Sequence, residues 1–379
     1  MKQDWEIAEF EKCLEKVTYT NKIQRKDFKE DGIYPIVSQE KDFINGYWDN
    51  EEDLFKVDKP VVIFGDHTQV IKFIDFDFVL GADGVKILKP KDKINSKYFY
   101  YFLQNVDLGS LGYARHYRLL KEINVAYPKS LPEQQRIVAI LDQCFTAIDK
   151  AKANAEQNLK NAKELFESYL QGVFENGNWE KKKWNNVLEI RSGRNQKEVE
   201  DPNGEYPILG SAGKVMGYAN NFICEEGTTI VGRKGTINNP MYIEEKFWNV
   251  DTAFGLHALN QLDKRFLFYF CRSYDFTKQD KGSGRPSLVK SDLLQIEMPI
   301  PLLDEQQTIV RQLDALRAET QKLEAVYQQK IADLEELKKS ILQKAFAGEL
   351  RSPEGVASAN DGYSPSEKKT KNKISPERA

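Results

Sequence analysis

Leu131-Pro132-Glu133-Gln134-Gln135-Arg136-Ile137-Val138 returns later in the chain as Leu303-Asp304-Glu305-Gln306-Gln307-Thr308-Ile309-Val310. A long heptad-patterned stretch follows each copy. Each stretch closes on a related phrase, Leu170-Gln171-Gly172-Val173-Phe174 and Leu342-Gln343-Lys344-Ala345-Phe346. A duplication of this size fixes the architecture before any chemistry is considered, because a missed repeat misassigns the whole fold.

Weaker echoes extend the repeat outward. Trp5-Glu6, with Phe10 and Leu14, matches Trp179-Glu180, with Trp184 and Leu188. Gly32-Ile33-Tyr34-Pro35-Ile36-Val37 matches Gly204-Glu205-Tyr206-Pro207-Ile208-Leu209, and Val61-Val62-Ile63-Phe64-Gly65 matches Thr228-Thr229-Ile230-Val231-Gly232. Tyr100-Tyr101-Phe102 matches Phe268-Tyr269-Phe270. The runs at 61–64, 69–74, 228–231 and 241–243 read as strands bounded by turn formers. The segments 96–105 and 262–272, rich in Tyr and Phe, read as helices packed on those strands. Each half is thus a mixed α/β head.

The long segments read as helices. Pro132 and Glu133 form a first-turn signature. From Val138 the apolar row steps by seven through Phe145, Lys152, Leu159, Phe166 and Val173, with a companion row at Leu141, Ile148, Ala155, Ala162 and Tyr169. The second helix shows Ile309, Leu316, Leu323, Lys330, Leu337 and Lys344, with Leu313, Thr320, Tyr327, Leu334 and Ile341. Such seams predict mutual pairing in a coiled coil. The expected organisation is head (1–131), spacer helix (132–176), head (177–303), spacer helix (304–350) and a disordered tail (351–379), rich in Ser, Pro, Gly, Asn and Lys. The fold class is α+β: two similar heads separated by an antiparallel two-helix coiled coil with pseudo-two-fold symmetry. A helix of about forty residues would hold the heads roughly 60 Å apart. At about 34 Å per duplex turn, such heads could address two major-groove segments on one face of DNA.

Composition narrows the function. A chain of 379 residues, 40% hydrophobic and 11% aromatic, is long and apolar enough for two cores. The N-terminus is polar and the chain has no apolar run of about 18 residues, so neither a signal peptide nor a membrane span is expected. Cys13, Cys144, Cys224 and Cys271 form no C-x-x-C pair, which suits a reducing cytoplasm and argues against a zinc site. The net charge of −3 excludes a protein that grips nucleic acid by bulk charge, so any DNA contact must come from local loops.

The order head, helix, head, helix, with Pro132-Glu133-Gln134-Gln135 and Asp304-Glu305-Gln306-Gln307 opening the helices and Lys344-Ala345-Phe346-Ala347-Gly348-Glu349-Leu350 closing the second, resembles the specificity subunit of type I restriction-modification enzymes. The resemblance covers residues 1–350. It implies a non-catalytic chain whose heads each read one half of a split, asymmetric double-stranded DNA target. It implies helices that set the gap and dock two methyltransferase (modification) subunits, with restriction (translocase-nuclease) subunits as further partners. S-adenosylmethionine, ATP and Mg would belong to those partners, and this chain would hold no cofactor. The helix residues expected to form the spacer and docking surface are Gln134, Gln135, Leu141, Ile148, Leu159 and Phe166, with Gln306, Gln307, Leu313, Leu323, Leu334 and Leu337. The first head departs from the family pattern, with Gly65-Asp66-His67-Thr68 where the second has Gly232-Arg233-Lys234-Gly235-Thr236.

Catalytic motifs are missing. Asn239-Pro240-Met241-Tyr242 lacks the second proline of an adenine-methyltransferase motif and reads as a turn between strands. Glu244-Glu245-Lys246 lacks the upstream Asp of a nuclease site, and no phosphate loop occurs. DNA readout needs Arg or Lys for guanine, Asn or Gln for adenine, and cations or glycine backbone for phosphate. In the second head these types gather at Arg233, Lys234 and Thr236, and at Lys281, Ser283, Arg285 and Ser287. In the first they gather at His67, Thr68 and Gln69, and at Arg115, His116, Tyr117 and Arg118, a stretch aligned with Arg285-Pro286-Ser287-Leu288. Two other readings are a coiled-coil scaffold whose heads bind only proteins, and a fused methyltransferase; the basic glycine loops oppose the first and the missing cofactor motifs oppose the second.

Overall fold

The computed structural model describes residues 4–109, 112, 114–211, 213–282 and 284–350. The expected disordered tail, 351–379, lies outside the described residues. The described chain divides into two compact units, residues up to 153 with those from 332 onward, and residues 154–331. Each unit therefore contains one head and a portion of both long helices.

In the first unit the elements run β1 (Trp5–Glu9), β2 (Lys22–Ile23), β3 (Tyr34–Val37), β4 (Gly46–Trp48), β5 (Leu54–Phe55), β6 (Val61–Gly65), β7 (Ile71–Ile74), β8 (Phe78–Gly81), β9 (Val85–Leu88), α1 (Ser96–Gln104), α2 (Tyr117–Lys121), β10 (Asn124–Pro128) and the start of α3 (Leu131–Asn176). One sheet has the order β2-β8-β3-β4, with β5 also on β8; a second has β7-β6-β9; β1 and β10 form a separate antiparallel pair. β6 is buried along its whole length, so its continuous apolar run needs no alternation.

The second unit repeats this plan: β11 (Lys181–Lys183), α4 (Trp184–Val187), β12 (Leu188–Ser192), β13 (Tyr206–Leu209), β14 (Val215–Ala219), β15 (Thr228–Gly232), β16 (Met241–Ile243), β17 (Trp248–Asn249), β18 (Ala253–Ala258), α5 (Lys264–Ser273), α6 (Lys290–Leu293), β19 (Glu297–Pro299) and α7 (Leu303–Phe346). Its sheets are β12-β18-β15-β16 and β14-β13-β17, with β11 on β19. The backbone hydrogen bonds from Phe10 N–H to Ile123 C=O (3.1 Å) and from Trp184 N–H to Ile296 C=O (2.9 Å) are the same contact made twice. Asn239-Pro240 lies in the connection into β16, so the turn reading of that motif holds.

The duplicated Glu-Gln-Gln phrase has a structural cause. The Gln134 side chain is fully buried. Its Oε1 accepts from Asn95 N–H at 2.7 Å, and its Nε2 donates to Lys93 C=O at 3.0 Å and Pro128 C=O at 2.8 Å. Gln306 repeats the set with Asp263 N–H (2.8 Å), Gln261 C=O (3.0 Å) and Pro301 C=O (2.9 Å). Asn95 and Asp263 are the N-caps of α1 and α5. One dry amide thus ties the aromatic helix, the last strand region and the long helix of each head. Tyr101 Oη donates to Asp142 and Tyr269 Oη to Asp314, adding a second duplicated tie. Phe346 packs its ring against Tyr98 and Phe102, and Phe174 packs against Phe266 and Phe270. Each head is therefore gripped by the opening of one long helix and the closing phrase of the other.

Both long helices run beyond forty residues and pair within each unit. In the first, Lys152–Glu335 (2.7 Å) and Asp149–Lys338 (3.1 Å) fix an antiparallel sense. In the second, Phe166 and Leu170 share a core with Ile309, Val310 and Leu313. The predicted seam of α3 holds at Leu141, Phe145, Ile148, Ala155, Ala162 and Phe166, all buried, with Leu159 half-buried; at its end Leu170 replaces Tyr169. In α7 one predicted row is displaced by a residue. Leu323 and Leu337 are 42% and 47% exposed, while Glu324 and Lys338 beside them are half-buried. Arg317 lies 5.6 Å from the Phe268 ring and Lys338 4.8 Å from that of Phe145. Charged side chains whose stems cover aromatic faces took places that an apolar-only count assigns to leucine. Leu313 is buried and Leu334 half-buried, as expected.

Replacing Gln134 by Leu strands one N–H and two carbonyls in a dry site. We expect a loss of about 3 kcal/mol in thermal or urea unfolding, since each orphaned group costs roughly 1–3 kcal/mol. Gln135→Leu, at the exposed neighbouring position, should change stability by less than about 0.5 kcal/mol.

Candidate nucleic-acid interface

The two candidate loops of the second head are distant in sequence but joined in space. Arg233 and Lys234 leave β15 and donate their N–H groups to Thr252 C=O, at 2.7 and 3.2 Å. Lys234 and Ser287 form an antiparallel bridge, Leu288 N–H donates to Arg233 C=O (2.8 Å), and Gly235 N–H donates to Pro286 C=O (2.9 Å). Gly235 has φ +83°, a left-handed conformation that glycine adopts without strain, and the Arg285 guanidinium passes 2.8 Å from where a Cβ would sit. Asp280 shapes the second loop: its Oδ1 accepts from Gly282 N–H and Ser287 N–H, both at 2.8 Å, and these bonds hold its carboxyl below the usual range. Lys234, Thr236, Lys281 and Arg285 are exposed, whereas Arg233 and Ser287 are half-buried. Arg233 lies over the Phe254 ring at 5.6 Å. Ser283 lies outside the described residues.

The first head builds the same junction with different side chains. Asp66 follows β6 as Arg233 follows β15. Its N–H donates to Gly84 C=O (2.7 Å), and its C=O accepts from His116 N–H (2.7 Å). His116 thus occupies the backbone place of Leu288, so the alignment of Arg115–Arg118 with 285–288 shifts: Arg115 falls opposite Ser287. The Asp66 side chain is buried, accepts from Tyr117 N–H at 2.8 Å and lies 3.9 Å from Lys86 Nζ. His116 is buried, and the Tyr117 ring packs on Phe10 and Phe64, so both belong to the loop junction and its core. Burial pushes the Tyr117 hydroxyl above its ordinary pKa. Thr68, Arg115 and Arg118 remain exposed, and His67 and Gln69 half-buried. Gln69, at φ 57°, donates to Gly109 C=O at 2.8 Å.

A third loop, missed in the sequence, joins each pair. In the first head it is the β3–β4 hairpin: Gln39 accepts from His67 N–H through Oε1 (3.1 Å) and from Thr68 Oγ1 through its C=O (2.7 Å). Beneath its tip lies Lys72, only 4% exposed, whose Nζ reaches Phe43 C=O (3.4 Å), Asn45 Oδ1 (3.1 Å) and Asp42 C=O (2.5 Å). Burial pulls its pKa down to about 8, with Glu40 and Asp42 pulling the other way. Lys72 pairs with Ile63 in β6 as Met241 pairs with Ile230 in β15. Met241 takes the matching role, its Sδ lying where a Cβ on Gly213 (φ +69°) would be, under the β13–β14 hairpin. A lysine and a methionine of similar reach thus prop equivalent hairpins, one by hydrogen bonds and one by packing.

Of the helix residues, Gln134 and Gln306 are buried clamps within their own heads, whereas Gln135 and Gln307 are exposed. Among the described residues no cluster of His, Cys, Asp and Glu could hold a metal ion, and no helix is long and apolar enough to cross a membrane.

Comparison with known proteins bears on this geometry. The family model described as type I restriction modification DNA specificity domain matches twice, over residues 2–160 and 176–335. The chain belongs to this family. It is 27% identical over 339 residues to the EcoR124I/EcoR124II specificity subunit of Escherichia coli, covering 77% of this chain and 81% of that protein. It is 25% identical over 319 residues to the MjaIX specificity subunit of Methanocaldococcus jannaschii, covering 71% and 72%. Its fold is similar to a chain from a structural study of type I R-M system assembly and conformational transition, with TM-score 0.73, 15% identity, and 92% and 99% coverage. It also resembles the HsdS subunit of Thermoanaerobacter tengcongensis, with TM-score 0.54, 14% identity, and 92% and 98% coverage. Specificity subunits of type I systems are non-catalytic, in keeping with the expectation from sequence, and the membership favours DNA readout over a scaffold that binds only proteins.

Two outcomes test the site. Asp280→Ala should speed amide exchange at Gly282 and Ser287, while Asp280→Asn, which keeps an acceptor, should do so less. Lys72 should titrate near pH 8 by NMR. Because its folded pKa lies below the ordinary 10.5, its charge costs stability below pH 8, and that cost should fade as pH rises from 8 to 10.5. Lys72→Met should remove this pH dependence.

Proposed function

We propose that the chain gives a type I restriction-modification complex its DNA sequence specificity, with each head reading one half of a split, asymmetric double-stranded target. The observation that carries this reading is the duplicated loop junction. Both heads bring the same backbone elements together, yet the first has Asp66 and Arg115 where the second has Arg233 and Ser287, and the exposed donors around the junction are Thr68, Arg115 and Arg118 in the first and Lys234, Thr236 and Arg285 in the second. A shared scaffold with divergent donors is what two different half-sites require. Local cations on a chain of net charge −3 suit docking by a few chosen contacts.

The helices would set the gap between half-sites and dock two methyltransferase subunits, with restriction subunits as further partners. The exposed Gln135, Gln307, Leu323 and Leu337 are the surface candidates from the expected docking set. S-adenosylmethionine, ATP and Mg would be bound by those partners and not here. The complex would work in the cytoplasm, on the cell's DNA.

Replacing both Arg233 and Lys234 by Ala should weaken target binding by the assembled enzyme about tenfold or more. The slope of log affinity against log salt should fall by roughly 0.9 for each phosphate contact removed. Unchanged affinity across the salt series would sink the assignment of this loop.

A further inference from the structure

The two hairpin loops share a feature that neither charge nor glycine content explains. Phe43 and Ile44 are 51% and 39% exposed, and Val215 and Met216 are 49% and 53% exposed. Gly46 pairs with Ile36 and Gly217 with Ile208, so both exposed pairs lie just before the corresponding glycine on the returning side of the hairpin. Large apolar side chains scattered singly on a surface need no explanation. Adjacent pairs on the same hairpin of both heads, each propped from beneath by the residue at the Lys72 or Met241 position, do.

Both hairpins are continuous with the loops assigned to DNA. In the first head Gln39 binds the 67–68 turn directly. In the second, Val215 and Met216 line an open concavity of about 490 Å³ together with Lys214 and Thr252, the residue that accepts the Arg233 and Lys234 amides.

We infer that the β3–β4 and β13–β14 hairpins are a third base-reading element of each head, with Phe43 and Ile44, and Val215 and Met216, making apolar contacts to bases of their half-sites. The group on a base edge that such contacts recognise is the thymine C5-methyl. Lys72 and Met241 are positioning residues that hold the hairpin tips at the depth of the neighbouring donors. This inference rests on the DNA-reading function proposed above.

The test maps methylated adenines in cells carrying the full-length chain with its modification partner, for wild type, Phe43→Ser/Ile44→Ser and Val215→Ser/Met216→Ser. The first double variant should relax base preference about tenfold in one half of the motif and leave the other half intact, and the second should do the reverse. With purified complex, replacing thymine by uracil in the affected half should weaken wild-type binding and leave the matching variant unmoved. Val215→Ser/Met216→Ser should melt with wild type, whereas Phe43→Ser also loses an edge contact with the Phe76 ring at 6.0 Å; if the first variant melts early it is replaced by Phe43→Leu/Ile44→Ala, for which a smaller relaxation of the same half is expected. A wild-type enzyme that methylates no split motif overturns the functional reading itself. A split motif that every variant reads unchanged overturns only this inference, as does a variant that loses partner binding while keeping its base preference.

Discussion

A single carboxamide, fully removed from water and used by all its polar atoms, holds each head to its helix. Gln134 and Gln306 each accept one N–H and donate to two carbonyls, and those groups lie on two segments that the amide ties to the long helix. Inside a protein such a set is strong when complete and costly when one member is lost. It fixes the N-cap of the aromatic helix relative to the long helix, and the Tyr101–Asp142 and Tyr269–Asp314 ties hold the same helix further along. The aromatic helix so fixed packs on the central strands, whose ends carry the loops. The phrase repeats so faithfully because few other residues could satisfy the same three partners.

The heads then diverge in side-chain chemistry upon one backbone frame. Asp66 and Arg233 occupy the same hydrogen-bonded place. One is a buried carboxylate that receives an amide, and the other a guanidinium over an aromatic ring. Lys72 and Met241 support equivalent hairpins by different means. Recognition surfaces can change in this way without disturbing the core, because the backbone bonds that join the loops do not depend on which side chain projects from them.

Much of this was legible in the residue pattern. The duplication, the mixed heads, the strands at 61–64 and 228–231 and the aromatic helices followed from periodicity and turn residues. The heptads gave α3 its seam as far as Phe166 but displaced one row of α7, since Arg317 and Lys338 lie along aromatic rings where aliphatic residues were expected. The joining of 233–236 with 281–287 was not legible, because nothing local in either loop names its partner. His116 and Tyr117 looked like DNA-contact residues by type, yet the fold uses them inside the junction. The hairpins escaped notice because Phe43, Ile44, Val215 and Met216 look like strand residues. Val215 and Met216 do open a strand, β14, but it is the edge of its sheet, and Phe43 and Ile44 lie in the loop before β4; only the strand pairing reveals that both places are exposed.

Exchange of one head tests the account most directly. Residues 181–299 would be replaced by the corresponding head of another family member, keeping Phe174, Gln306 and both long helices, and methylated adenines mapped in cells with the modification partner. The account predicts that one half of the split motif changes to that of the donor while the other half and the gap stay as they were. A motif altered in both halves, or in neither, would contradict the claim that each clamped head reads its half-site alone.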